Sequence, residues 1–224
     1  MFDFDIVSLL LSLPAILIAL TVHEYAHGYA AWRLGDPTAR SLGRLSLNPL
    51  RHLDPIGTLC LVFFNFGWAK PVPINPRYFK KPRRDMAITA LCGPLANLLL
   101  AFFGAFLYVA ILAAFNAILA AVAVSHFVYL LMSHTLVFFY YFHFINLTLA
   151  LFNCLPIPPL DGSRFFYVFL PPKLYFAIMR YERYIQLALM ILLLLGIHFG
   201  FLTTAARWVS EGMLSFFRLI PAFR

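Results

Sequence analysis

The sequence contains few charged residues. Only 12% of its 224 residues are Asp, Glu, Lys or Arg, against about 25% in a typical soluble domain. Hydrophobic residues make up 62%, and the mean hydropathy is +0.84. This apolar excess is more than an aqueous core can bury. It therefore excludes a soluble globular protein and predicts a multi-pass membrane protein.

Cysteine is also scarce. The three cysteines lie far apart in the sequence and form no C-x-x-C pair. This excludes a disulfide framework and a thiolate metal site, and it favours a role as small apolar filler. They are Cys60, Cys92 and Cys154. Cys154 adjoins a motif described below, where a thiol reagent could reach it.

Acidic residues are outnumbered, since 17 Lys and Arg oppose 9 Asp and Glu, for a net charge of +8. A basic chain can bind nucleic acid, but here the basic residues cluster between apolar segments and no nucleic-acid motif accompanies them. Cytoplasmic loops of membrane proteins carry this excess of Lys and Arg. We therefore expect a lipid bilayer and no nucleic acid as partner.

Five apolar stretches predict an all-α transmembrane helical bundle of about 4–6 spans, forming one domain over residues 1–224. The N-terminus has no basic region or cleavage site, so the first stretch is predicted to be a retained span. Stretch 56–64 is too short to span, because a spanning helix needs about 20 residues. It is either re-entrant or a short buried helix. The stretches are 6–34, 56–64, 86–124, 127–152 and 185–202.

The loops predict the orientation. Loops 35–85 and 163–184 are rich in Lys and Arg, whereas the link at 121–126 has none. The positive-inside rule then places the first two in the cytoplasm and the N-terminus outside. At the other end, residues 203–221 show the pattern of an interfacial amphipathic helix.

The first span contains His23-Glu24-Tyr25-Ala26-His27, an H-E-x-x-H motif. On a helix, His23 and His27 face the same way and can bind one metal ion, with Glu24 beside it as general base. A charge at bilayer depth costs at least a few kcal/mol, so an ionisable cluster there indicates function. The alternative is a polar helix contact in which these side chains bond to neighbours.

Two imidazoles do not complete a catalytic zinc site, which usually has three protein ligands. The best source of the third is Asp161, in the proline-broken segment Asn153–Gly162 after the fourth span. Irregular backbone at membrane depth is tolerated where it lines a cavity. Alone, Asp161-Gly162 would indicate an ordinary turn.

Together these motifs resemble those of the site-2 protease family of intramembrane zinc metalloproteases. The resemblance is carried by HEYAH in an apolar helix, Gly93-Pro94-Leu95-Ala96-Asn97 opening a later span, and N-x-x-P-x-P-x-x-D-G near a membrane boundary. It covers about residues 15–165. Arg44–Pro49 and Phe66–Pro73 also look like the compact prokaryotic members, without a PDZ or CBS domain.

The resemblance implies a zinc metalloendopeptidase with one Zn²⁺ per chain, in a single membrane-embedded peptidase domain. His23, His27 and Asp161 would be the zinc ligands and Glu24 the general base. Asn153 would position substrate or stabilise the oxyanion, as an amide donor can. Asn97 is either a supporting residue of the site or a packing residue between spans.

The implied substrates are transmembrane or signal-like peptides, cleaved near the cytoplasmic face of a prokaryotic cell membrane. The oligomeric state does not follow from the sequence. A helical substrate must unwind before attack, and segment 68–76, with its alternating prolines, would pair with it as an edge strand. The alternative for this segment is a plain proline-rich loop.

The competing function is a divalent-metal transporter, which also places His, Glu and Asp inside spans. A transporter needs ionisable residues at several depths. Here the carboxylates at depth are Glu24 and Asp161, both predicted on one side, which favours a single closed site.

Of the other histidines, His134 and His143 share a helix face, which leaves a haem or proton-relay role open. A hydrogen-bonded packing role is favoured for both.

Overall fold

The structure, a computed structural model, describes residues 6–64, 67–195 and 200–223 and is built from α-helices. Within those ranges it contains no regular strand, and its β pairing is one isolated antiparallel bridge between Leu53 and Ala69. The helices are α1 (Ile6–Arg33), α2 (Thr38–Ser41), α3 (Pro55–Phe64), α4 (Pro82–Ala121), α5 (His126–Asn153), α6 (Asp161–Phe166), α7 (Pro172–Arg180), α8 (Glu182–Leu194) and α9 (Gly200–Arg218).

Three of the described helices, α1, α4 and α5, are long and apolar enough to cross a membrane. They confirm the all-α membrane fold and correspond to the first, third and fourth predicted stretches. Stretch 56–64 forms the ten-residue helix α3. The fifth stretch divides between α8 and α9, and its residues 196–199 lie outside the described ranges.

Two helices continue through a proline. Pro14 lies inside α1 and Pro94 inside α4, where neighbouring groups in a membrane bundle can satisfy the freed carbonyls. The motif Gly93–Asn97 therefore does not open its helix, since α4 begins about three turns earlier. Pro82 occupies its first position, and the carboxylate of Asp85 accepts the N–H of Lys81, 2.9 Å away. Both features stabilise the start of α4.

The chain divides into two compact units. The first comprises Met1–Ala19, Asn97–Leu149 and Phe201–Arg224, and the second comprises Leu20–Ala96 and Ala150–Gly200. The core of the first unit contains Ala105, Val109, Leu214 and Phe217. The prediction of one peptidase domain over residues 1–224 stays a prediction.

The predicted amphipathic helix over 203–221 corresponds to α9. One face of α9 is buried within the first unit, at the three- and four-residue spacing of a helix. Its buried residues are Leu202, Ala206, Ser210, Leu214 and Phe217. A location at the membrane interface stays a prediction.

Helix α6, in the second unit, begins directly after a proline-rich connection. Helix α5 ends at Asn153, because prolines 156, 158 and 159 cannot continue a hydrogen-bonded helix. The chain then folds back, and α6 starts at Asp161. The position of Asp161 is thereby fixed by the start of a helix.

Candidate metal centre

His23 and His27 lie one turn apart on α1, with their rings edge to face. The ring centroids are 4.6 Å apart at an interplanar angle of 87°, and the two Nε2 atoms are 3.0 Å apart. Both side chains are buried, with 5% and 6% exposed. The four-residue spacing therefore brings two imidazole nitrogens to one point, as the motif predicts.

Asp161 lies at the same point. Its Oδ2 is 3.0 Å from Nε2 of His23 and 3.1 Å from Nε2 of His27. Asp161 is the first residue of α6, so the alternative of an ordinary turn at Asp161-Gly162 is wrong. A Cβ on Gly162 would lie 2.3 Å from the carbonyl oxygen of Cys154, so glycine is what permits this close approach of α6.

The three donor atoms fit a zinc ion. In a tetrahedral site with bonds of about 2.0–2.1 Å, ligand atoms lie about 3.3 Å apart. The observed separations of 3.0–3.1 Å are close to this value. Two imidazoles and one carboxylate are also a donor set that zinc enzymes use. Among the described residues, His23, His27 and Asp161 are the only group of three or more His, Cys, Asp or Glu side chains whose ligand atoms lie this close together.

The electrostatics keep Asp161 ionised. Burial raises the pKa of Asp161, but the positive charge of protonated His27 and His23 and the hydrogen bonds from both rings outweigh burial and hold that pKa well below its usual range. An ionised carboxylate is the form that binds a metal.

Glu24 projects beside His23 and is half-buried. Its Oε2 accepts the backbone N–H of Val72 at 2.8 Å. A Cβ on Gly28, one turn further along α1, would lie 3.2 Å from Cγ1 of Val72. Val72 therefore contacts α1 at two points. Its N–H donates to Glu24, and its side chain packs against Gly28. Its N–H also orients the Glu24 carboxylate.

The segment Trp68–Pro76, which contains Val72, is fixed at further points. The N–H of Lys70 donates to the carbonyl of His52 at 2.8 Å. The N–H of Asn75 donates to the buried carboxylate of Asp36 at 2.6 Å. The segment forms no regular strand, but these hydrogen bonds fix its backbone in place next to Glu24.

The two asparagines lie in different units. Asn153 is the half-buried last residue of α5 and belongs to the second unit, like His23, His27 and Asp161. Asn97 belongs to the first unit, where its amide donates to the carbonyl of Ala19 at 3.0 Å and to Oδ1 of Asn146 at 2.9 Å. These bonds favour the packing interpretation of Asn97.

Two other histidines are hydrogen-bonded, as the packing interpretation expects. Buried His143 places Nδ1 2.8 Å from the carbonyl oxygen of Ala101 and Nε2 2.8 Å from the hydroxyl of Ser210. His134 places Nδ1 2.6 Å from the carbonyl oxygen of Leu130.

Sequence reasoning overlooked the part of α4 that touches the site. The Nδ1–H of His27 donates to the carbonyl of Thr89 at 2.8 Å, and Gly93 lies against both ligand rings. With Asp85, these residues recur every four positions in Asp-x-x-x-Thr-x-x-x-Gly. That spacing of polar and small residues in an apolar helix was the available signal.

The chain is similar to known metalloproteases. The family model described as peptidase family M50 matches residues 12–197. YwhC of Bacillus subtilis (strain 168), provisionally named a zinc metalloprotease, is 44% identical over 157 residues, which cover 70% of this chain and 68% of that protein.

Two mycobacterial proteins named Rip2, also provisionally zinc metalloproteases, match over 152 residues. Rip2 of Mycolicibacterium smegmatis is 32% identical and that of Mycobacterium tuberculosis (H37Rv) is 30% identical. Each match covers 65% of this chain and 52% of the relative, so the chain spans about half the length of these relatives. No solved structure matches.

Proposed function

The chain is a membrane zinc metalloprotease of peptidase family M50, and we propose that it cleaves within or near transmembrane or signal-like segments at the His23, His27 and Asp161 cluster. The observation that supports this proposal is the convergence of three donors beside Glu24: buried His23 and His27, and half-buried Asp161, which follows His27 by 134 residues. The divalent-metal transporter is not favoured, because the family is one of peptidases.

Each residue of the site has a role in peptide hydrolysis. Zinc, when bound, supplies a Lewis acid that makes water nucleophilic near neutral pH. Glu24 accepts the proton of the attacking water, and the N–H of Val72 holds one carboxylate oxygen so that the other can do so. Asn153 stabilises the negative charge that develops on the scissile carbonyl.

The decisive test is Glu24→Gln. The amide keeps the shape of the side chain but cannot take a proton, so we expect zinc to stay bound and cleavage of a model transmembrane substrate to be lost. Zinc content and cleavage are measured on the same purified sample. Loss of zinc together with cleavage would instead make Glu24 a ligand and contradict its role as base.

Substrate recognition is proposed to occur by strand addition to segment Trp68–Pro76. Residues before proline are restricted to extended conformations, and prolines 71 and 73 have no N–H. In an extended chain, N–H groups two residues apart lie on the same edge. The N–H of Ile74 therefore belongs to the edge at which the N–H of Val72 meets Glu24. A substrate strand bonded to Ile74 would lie next to the general base.

Ile74→Pro tests this recognition, because it removes one N–H from a segment that already tolerates proline. We expect KM for a peptide substrate to rise while zinc content is unchanged, since a main-chain hydrogen bond to substrate is lost. Ile74→Ala is the matched control and should retain the KM of the parent. Equal KM values for the proline and alanine variants would exclude pairing at Ile74.

The membrane is proposed to be a prokaryotic cell membrane, with the site toward the cytoplasm. The proposal is supported by the excess of Lys and Arg in loops 35–85 and 163–184, which cytoplasmic loops carry. Exposed Cys154 gives a test with a membrane-impermeant maleimide. Labelling in inside-out vesicles is expected, and labelling only in right-side-out vesicles would reverse the orientation.

A further inference from the structure

One face of α4 in the second unit is lined by Asp85, Thr89 and Gly93, all of them buried. Residues four apart on a helix lie one above the other, so the three form a continuous strip, here called the α4 strip. The hydroxyl of Thr89 donates to the carbonyl of Asp85 at 2.8 Å. This bond satisfies the buried hydroxyl of Thr89.

The carbonyl of Thr89 determines which nitrogen of His27 carries the proton. A carbonyl oxygen only accepts, so Nδ1, at 2.8 Å, must be the N–H of the ring. Nε2 is then left with a lone pair in the neutral imidazole. Nε2 is also the atom that faces Asp161 and His23, so the bond selects the tautomer that can bind a metal.

Gly93 provides the space in which the two rings meet. A Cβ at this position would lie 2.4 Å from Nε2 and 2.5 Å from Cε1 of His27, and 2.7 Å from Cε1 of His23. Heavy atoms do not approach this closely without a shift. Because Thr89 restrains the ring of His27, any side chain at 93 would displace the two imidazoles from Asp161.

We propose that Thr89 and Gly93 are positioning residues of the metal centre: the Thr89 carbonyl fixes the tautomer of His27, and Gly93 admits both ligand rings. This deepens the proposed function, since it rests on the assignment of zinc to His23, His27 and Asp161. Groups that orient metal ligands in this way typically contribute about 10–100-fold to metal affinity.

The test is Gly93→Ala with Gly104→Ala as matched control. Both substitutions add one methyl to the same helix against a buried histidine, since a Cβ at 104 would lie 3.1 Å from the backbone of His143. Zinc affinity is measured by competition with a chelator, and geometry by the absorption spectrum of the cobalt-substituted protein.

We expect Gly93→Ala to bind zinc about 10–100-fold more weakly and to change the cobalt spectrum, while Gly104→Ala matches the parent in both. Unchanged zinc affinity in Gly93→Ala would overturn the role of Gly93. Equal losses in the two variants would also overturn it, because they would indicate general damage to α4.

A measurement on the unsubstituted protein covers the case in which Gly93→Ala does not fold. Nitrogen NMR of ¹⁵N-histidine-labelled, zinc-loaded protein should show His27 with Nδ1 protonated and Nε2 on the metal. Coordination through Nδ1 would overturn the role of Thr89. Neither measurement involves cleavage. A protein that binds zinc in this way but cleaves no substrate would therefore refute the proposed function and leave the roles of Thr89 and Gly93 intact.

Discussion

His27 and His143 are buried histidines that dock on the same helix in the same manner. Each places Nδ1 2.8 Å from a backbone carbonyl of α4, that of Thr89 or of Ala101, and each lies against a glycine of α4. They differ in what meets Nε2. For His27 it is a carboxylate and a second imidazole, whereas for His143 it is the hydroxyl of Ser210.

The comparison shows that burial and a fixed tautomer do not by themselves make a metal ligand. A hydroxyl satisfies the lone pair of an imidazole and completes a neutral hydrogen-bonded contact. A carboxylate and a second imidazole instead bring three donors together, an arrangement suited to a cation. The partner at Nε2 therefore distinguishes the proposed metal centre at His27 from the packing contact at His143.

The largest expected difference is between His27→Gln and His143→Gln. Removing the imidazole of His27 takes away a ligand, so we expect zinc to be lost and cleavage to fall by roughly 10³-fold or more, as for the loss of several kcal/mol of metal catalysis. His143→Gln should keep its zinc. The comparison fails if His143→Gln also loses zinc while remaining folded, as judged by circular dichroism.

A smaller effect is expected when the backbone near Asp161 is disturbed. Gly162→Ala would place a methyl against the carbonyls of Cys154 and Leu155, which moves Asp161 away from the histidines. We expect zinc affinity to fall by about 10–100-fold, as for other changes that misplace a ligand.

The matched control for this change is Gly212→Ala in α9, where a Cβ would meet nothing within 4 Å. Alanine should be neutral there or stabilise the helix by up to about 1 kcal/mol, with zinc affinity unchanged. If both alanine variants bind zinc like the parent, the close approach at Gly162 is not required for the site.

The smallest effect concerns the packing contact. Ser210→Ala removes the hydroxyl that meets Nε2 of His143, and interhelical hydrogen bonds of this kind average about 0.6 kcal/mol in membrane proteins. We expect a loss of that size in denaturant unfolding, with zinc content and cleavage intact. A change in zinc content would show that the two clusters are not independent.

Sequence alone predicted the cluster of His23, His27 and Asp161, because ionisable residues are rare at bilayer depth. His23 and His27 follow from helical spacing, and Asp161 was the best remaining carboxylate near the same predicted side. Thr89 and Gly93 were missed because their contribution comes from a backbone carbonyl and an absent side chain, which residue type does not reveal. The contact of Val72 with Glu24 joins residues 48 positions apart, and no local pattern predicts such a pair.

The same limit applies to the first unit. The packing role of His143 was expected, but its partner Ser210 is 67 positions away and has a residue type found throughout the chain. The amphipathic pattern of α9 predicted a helix, but only the folded structure shows that Ser210 lies on its buried face.

The prolines at 71, 73 and 76 in segment Trp68–Pro76 also affect the thermodynamics of substrate capture. Proline narrows the conformations open to an unfolded chain, so this segment loses little entropy when it is held straight beside Glu24. One of the two strands in the proposed pairing is thus ordered before any peptide arrives. The backbone conformational entropy lost on binding then comes mainly from the unwinding peptide, which favours substrates whose helices are already weak at the cleavage point.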